Sequence, residues 1–369
     1  MPSTTPERFG ADPKPYYLAF GVLALLELGR RALFGYVPDD FTAYLSAADS
    51  FAAGLNPYEV YEGPRYDGKP YNYFPGTLYL ILPLAFVSTA VAVTADWIVR
   101  CAVLLCTLRF LQRRILPNAG LQFVLLAAVF HEPLMIDLLF GNLVTYLLGA
   151  WALSVWLSER SSEGWREMVL AGLVGLVVVF KPFWFLPVAW SLYLGRKWRL
   201  LAAVAASGGA VTAASFTLPE TIPAFFAHTQ RMREFYYSVD FLNLAPALLP
   251  VVGVLWLAGA LHIERRGDRA WAFLWGCASI PLWPRLATYS YVMTIPVILF
   301  LVHRWGWLRG LLASCVLVGP IPWLLRTSSW MPGERLENWT HFVWALLMAG
   351  VLFLMLHKPS PIASPQAAT

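Results

Sequence analysis

The sequence predicts an all-α, polytopic integral membrane protein, and three observations carry that expectation. Of 369 residues, 58% are hydrophobic and only 13% charged, with a mean hydropathy of +0.58. A soluble domain of this length has a polar surface to cover and does not need so much apolar sequence. The apolar residues also gather in about thirteen segments, several of them shorter than the roughly 20 residues that span a bilayer. Finally, no repeat, low-complexity tract or linker divides the chain. Residues 1–369 are therefore expected to form one transmembrane domain, with about 11–13 spanning helices and interfacial helices in loops 36–74 and 218–242.

The first segment, Tyr16 to Phe34, lacks a small-residue cleavage site and reads as a retained helix. The loop 36–74 follows. It opens on adjacent carboxylates, Asp39 and Asp40, and continues with Phe41, Tyr44, Leu45, Ala48, Phe51, Ala52 and Leu55 at helical spacing. An amphipathic helix lying in the interface is expected there, carboxylates towards a polar cavity. Gly54, Asn56-Pro57, Gly63-Pro64, Gly68 and Pro70 then break the chain into turns. The aromatic run Tyr58, Tyr61, Tyr66, Tyr71, Tyr73 and Phe74 suits either an interfacial belt or a sugar- or headgroup-binding surface.

Beyond Pro75 the apolar segments run 75–93, 95–112, 120–136, 142–157, 167–181, 183–195, 200–217, 243–262, 270–283, 286–302, 307–325 and 340–357. Segment 75–93, interrupted by Pro83 and Ser88-Thr89, is the candidate for a short or re-entrant element. Without one, three crossings would separate Asp40 from Gly141-Asn142 and put them on opposite faces. Basic clusters at Arg196-Lys197-Trp198-Arg199, Arg265-Arg266 with Arg269, and Arg304 with Arg309 mark the inside face. Strict alternation then places Lys181, the 218–242 loop and Arg285 outside. In that loop Phe225, Phe226, Thr229, Met232, Phe235 and Tyr236 form a helical stripe, with Arg231, Arg233 and Glu234 towards water or headgroups. The tail 358–369 is Pro/Ser/Ala-rich and expected to be disordered.

Several classes of chemistry are not indicated. No P-loop, GxGxxG, GxSxG or HExxH occurs. Cys101, Cys106, Cys277 and Cys315 lie in apolar segments without metal spacing and read as buried small hydrophobes. His131, Glu132 and Asp137 form no recognised metal site, and a hard cation wants more oxygens. His228, His262, His303, His341 and His357 fall in loops or at helix ends. No cofactor, metal or nucleic-acid partner is expected.

Ionisable groups at the membrane need a reason to be there. Lys181 is either a snorkelling helix-end lysine or a cation for a lipid-linked phosphate. Arg285, beside Pro284, is a second such cation. Asn142 is either a helix cap or a sugar contact.

Asp40-Phe41, Tyr44, Ala47-Ala48, Gly54, Asn56-Pro57-Tyr58 and Tyr73-Phe74-Pro75 together resemble the first external loop of glycosyltransferase family 87, membrane enzymes of GT-C architecture. Gly141-Asn142 resembles a shortened form of that family's Gly-x-Asn helix start. Lys181-Pro182, after Gly172 and Gly175, resembles its Lys-Pro. The 285–291 stretch matches a late motif more loosely, with Tyr289 and Tyr291 where some relatives carry histidine.

The resemblance implies transfer of a sugar, mannose first, from a polyprenyl-phosphate donor to a lipid or glycan acceptor on the external face of the cell membrane. Asp40 would be the general base, with Asp39 its neighbour and fallback. Lys181 and Arg285 would hold the phosphate, and Tyr44, Asn56, Tyr73, Asn142 and Tyr289 would contact substrate. A transporter or flippase for a lipid-linked or small polar solute is the competing reading. The large asymmetric external loop and the absence of matching halves weigh against it.

Overall fold

The computed structural model describes residues 37–58, 71–115 and 140–235, with further helical positions at 134, 137–138, 254, 257–262, 265, 295–296 and 298–299. The expected helix at 16–34, the aromatics Tyr61 and Tyr66, Arg285, Tyr289, Tyr291, and the tail lie outside these residues. Among the described residues the chain is helical, with no strand. The helices are α1 (Asp39–Ala52), α2 (Leu78–Ile81), α3 (Thr89–Ile115), α4 (Val144–Glu159), α5 (Trp165–Val178), α6 (Phe185–Leu194), α7 (Trp198–Ala214) and α8 (Thr221–Phe235).

Two of these elements, Thr89–Ile115 and Trp198–Thr217 (α7 with its closing 3-10 turn), are long and apolar enough to cross a membrane. Their outer faces leave Val91, Ile98, Val99 and Trp198 exposed, which suits contact with lipid. The segment expected at 75–93 is instead the short broken element Pro75–Phe86, two 3-10 turns around the single helical turn of α2. Val87 is extended, and the Ser88 hydroxyl and carbonyl accept from the Val91 and Ala92 amides at 3.4 and 3.0 Å. Serine at this position starts α3, so the break falls at 87–88 and 89–115 is one helix.

Contacts at the helix ends set directions. Arg100, towards the N-terminal half of α3, lies against the turn that precedes α4, and Arg114 near its C-terminus pairs with Glu159 at the far end of α4. α3 and α4 therefore run parallel. Lys197, entering α7, lies 3.8 Å from Glu163, just ahead of α5. The Arg196–Arg199 cluster thus gathers with Arg114, Glu159 and Glu163 at the end of the bundle remote from Asn142.

Close approach of α5 and α7 depends on small residues. A Cβ on Gly175 would run into the Val204 carbonyl and the Ser207 hydroxyl. Packing of this kind, more than the hydrophobic effect, joins helices in lipid. One buried cluster occupies the bundle, with Trp151 and Trp184 fully enclosed. A second caps it, formed by α1, Tyr58, Tyr71, Leu78, Ile81 and Ala224 of α8. Leu143 and Phe180 reach from the bundle into the cap, and the candidate site lies at that seam.

Some sequence expectations change here. α1 is enclosed over its first turns on more than one face, with Ala43 and Ala47 buried, while Ala52 and Leu55 are exposed. In α8 the inward residues are Ala224, His228 and partly Phe225, and Phe226 is exposed. The side chains of 231–235 are outside the described residues. His228 is not at a helix end. It is buried within α8, and its Nε2 lies 2.6 Å from Asn72 Oδ1, tying α8 to the aromatic run. Cys101 is buried as expected, but Cys106 is exposed.

Candidate functional site

Asp39 and Asp40 form the first turn of α1, after Pro38, whose carbonyl accepts from the Phe41 and Thr42 amides at 3.0 and 3.1 Å. Carboxylates are favoured at this end of a helix by its dipole. Asp40 remains partly exposed. Its Oδ2 accepts from Asn142 Nδ2 at 2.8 Å. The side chain of Asp39 is outside the described residues.

Asn142 sits in the turn ahead of α4. Gly141 adopts φ +72°, a left-handed conformation that glycine accepts without strain. A Cβ there would come within 2.7 Å of Pro38 Cβ and 3.1 Å of Phe41 Cβ. The Gly-Asn pair and the Asp-Phe pair are therefore two halves of one contact, which brings the Asn142 side chain to Asp40.

The capping interpretation of Asn142 does not hold. Asp137 caps α4 instead, its Oδ1 and Oδ2 accepting from the Val144 and Thr145 amides at 3.2 and 3.1 Å and from Thr145 Oγ1 at 2.5 Å. Asp137 is thus committed to a helix start and an arginine, Arg100 (Nη1 at 3.5 Å), and among the described residues no cluster could hold a metal ion. Asn142, 2% exposed, is left to use both ends of its amide. Nδ2 donates to Asp40, while Oδ1 accepts from Leu143 N at 2.8 Å and from Lys181 Nζ at 3.1 Å. Those three partners fix which end of the amide is which.

Lys181 reaches this point because the residue before a proline is excluded from helical backbone. α5 ends at Val178, Lys181 turns out at φ −134° and ψ 84°, and a 3-10 turn begins at Pro182. Its ammonium feels both Asp137 and Asp40. A lysine held by a buried asparagine beside two carboxylates does not reach out to the interface as a snorkelling one does.

The Tyr44 and Tyr73 hydroxyls lie 2.6 Å apart, and Tyr73 also stands beside Asn142 and Asp40. Burial, helped by the Asp40 charge, holds the Tyr73 phenol well above its ordinary value, so it acts as a neutral hydroxyl. Burial likewise raises Tyr58 and Tyr71, whose hydroxyls go to the Tyr73 carbonyl and to Thr77 Oγ1, both at 2.6 Å. Asn56 does not join the site. Its Oδ1 accepts from the Tyr58 amide at 3.1 Å, a local turn.

Arg100 is the group that the sequence reading passed over. It is fully buried, pairs with Asp96 through Nη2 at 3.1 Å and Nε at 3.2 Å, and donates to the carbonyls of Gly141 (3.0 Å) and Asn142. An Asp and an Arg four apart inside an apolar run were the available signal.

The sequence model of glycosyltransferase family 87 matches residues 71–353, well over half of the chain. No curated protein and no solved structure matches.

Proposed function

The chain belongs to glycosyltransferase family 87, and from that premise we propose that it transfers mannose from a polyprenyl-phosphate donor to a lipid or glycan acceptor at the seam between bundle and cap. As a glycosyltransferase it takes a sugar donor and an acceptor. The observation that supports the finer reading is the Asp40–Asn142–Lys181 chain, which puts a carboxylate and an ammonium on opposite ends of one amide.

Such a pair suits the two ends of the reaction. Asp40 takes the acceptor hydroxyl's proton as the new C–O bond forms at the anomeric carbon. The bond from that carbon to the phosphate oxygen breaks with its electrons, and the diester donor leaves as a more highly charged phosphate monoester. Lys181 stabilises that growing charge. Attack opposite the leaving group inverts the anomeric centre. Tyr44 and Tyr73 offer neutral hydroxyls to the sugar, and Asp39, Asn142 and Tyr289 remain candidates for supporting contacts.

Because Lys181 already faces Asp40 and Asp137, a phosphate needs further positive charge. Arg285 is our candidate for it, on the sequence argument alone. With the basic Arg196–Arg199 end inside, the site faces outwards across the cell membrane.

The test is incubation of membranes, with and without the protein, with radiolabelled polyprenyl-phosphate mannose and glucose. Appearance of a mannose-labelled lipid or glycan supports the reading. Label transferred only from glucose removes the mannose assignment, and no transfer from either removes the donor class.

A further inference from the structure

We infer that Arg100 is a positioning residue, whose guanidinium holds the Gly141-Asn142 turn so that the Asn142 amide can span Asp40 and Lys181. This rests on the function proposed above. The guanidinium donates to two successive carbonyls, those of Gly141 and Asn142, which are the two peptide groups that orient the asparagine side chain. On its other side it is held by Asp96, and Asp96 Oδ1 accepts a further bond from the Tyr146 hydroxyl at 2.7 Å. Tyr146 belongs to α4, and its ring also lies 4.9 Å below the guanidinium carbon. Asp137 completes the frame, bonding the first amides of α4 and lying 3.5 Å from Arg100 Nη1.

No other residue type supplies this. The planar fork of arginine can meet two carbonyls and a carboxylate at once, and an ammonium cannot reproduce that geometry. A fully buried charge at membrane depth is costly and is kept where it has a task. Arg100 bonds the carbonyls on either side of the Asn142 Cα, so the inference routes its effect on Asp40 and Lys181 through Asn142. That makes the inference testable by coupling, since residues acting through a common partner are not additive.

The experiment compares Arg100→Lys, Asn142→Ala and the double variant, reconstituted in equal amounts, with Asp40→Asn as a reference. Initial rates with radiolabelled polyprenyl-phosphate mannose and a membrane-lipid acceptor give kcat and KM for each. Arg100→Lys should lower kcat on the order of tenfold or more with little change in donor KM, and should cost almost nothing further in the Asn142→Ala background. Equal losses in both backgrounds would make Arg100 a structural ion only, and overturn the inference. If Asp40→Asn turns over normally, the proposed function itself fails, and this outcome is distinct from the former. Should Arg100→Lys not fold, Tyr146→Phe carries the same cycle, because it loosens Asp96 without removing the buried charge. Its smaller loss of kcat should also vanish without Asn142, and a loss that persists there overturns the inference.

Discussion

Asn142 Nδ2 donates to Asp40 Oδ2 at 2.8 Å, joining the start of α1 to the turn before α4 across 102 residues of sequence. The other end of the same amide accepts from Lys181 Nζ. Removal of Asp40 takes away the acceptor on Nδ2, whereas Oδ1 keeps the Leu143 amide when Lys181 is removed, so loss of the carboxylate should disturb the buried amide more than loss of the ammonium.

Lys181→Gln should reduce transfer rate far more than donor affinity, because the leaving phosphate carries more charge than the bound diester. Lys181→Arg should recover only part of the rate, since a planar fork does not occupy the place of a compact ammonium. Initial rates against donor concentration check both. Unchanged rates for Lys181→Gln would leave this lysine as a structural partner of Asn142.

Gly141→Ala should destabilise the protein and disable it together. The left-handed backbone costs about 1–3 kcal/mol for alanine, and the new methyl meets Pro38 at 2.7 Å, at the base of α1. Gly54, at φ +71° with nothing within 4 Å, is the control. Gly54→Ala should cost the same about 1–3 kcal/mol from the backbone alone and leave kcat intact. Thermal unfolding in detergent and turnover per folded molecule separate the two. Equal effects on kcat would deny that the 141 turn positions Asp40.

Gly172 and Gly175 should respond differently although both belong to the same glycine-rich helix. A Cβ on Gly172 meets nothing within 4 Å, while one on Gly175 strikes α7. Gly172→Ala should be neutral or mildly stabilising, by up to about 1 kcal/mol. Gly175→Ala should lower the unfolding temperature by forcing α5 and α7 apart. Equal behaviour would remove the close α5–α7 approach from the account.

The residues that sequence reading reached were those with local signatures. Asp40 precedes Phe41, Asn142 follows a glycine, and Lys181 precedes a proline; each signature reflects a backbone demand that the structure displays. What the sequence could not show is that one amide links them, since that depends on packing between α1, α4 and the end of α5. Asn142 looked like a cap because asparagine favours that position. Only the fold shows that Asp137 already occupies the α4 amides. In sequence Ser88-Thr89 reads as an interruption inside segment 75–93 and the boundary falls near 94, whereas the structure breaks at 87–88 and runs one helix from Thr89 to Ile115. His228 reads as a loop or helix-end residue in sequence because the partner that explains it, Asn72, lies 156 residues away.

The central claim is that Asp40 is the base, and single-turnover transfer by Asp40→Asn and Asp39→Asn tests it most directly. Asparagine preserves the size of the side chain but cannot accept the proton. With labelled donor prebound and acceptor added, Asp40→Asn should transfer on the order of 100- to 10,000-fold more slowly than the parent while binding donor normally, and Asp39→Asn should transfer at a rate close to the parent. Near-normal transfer by Asp40→Asn would contradict the account.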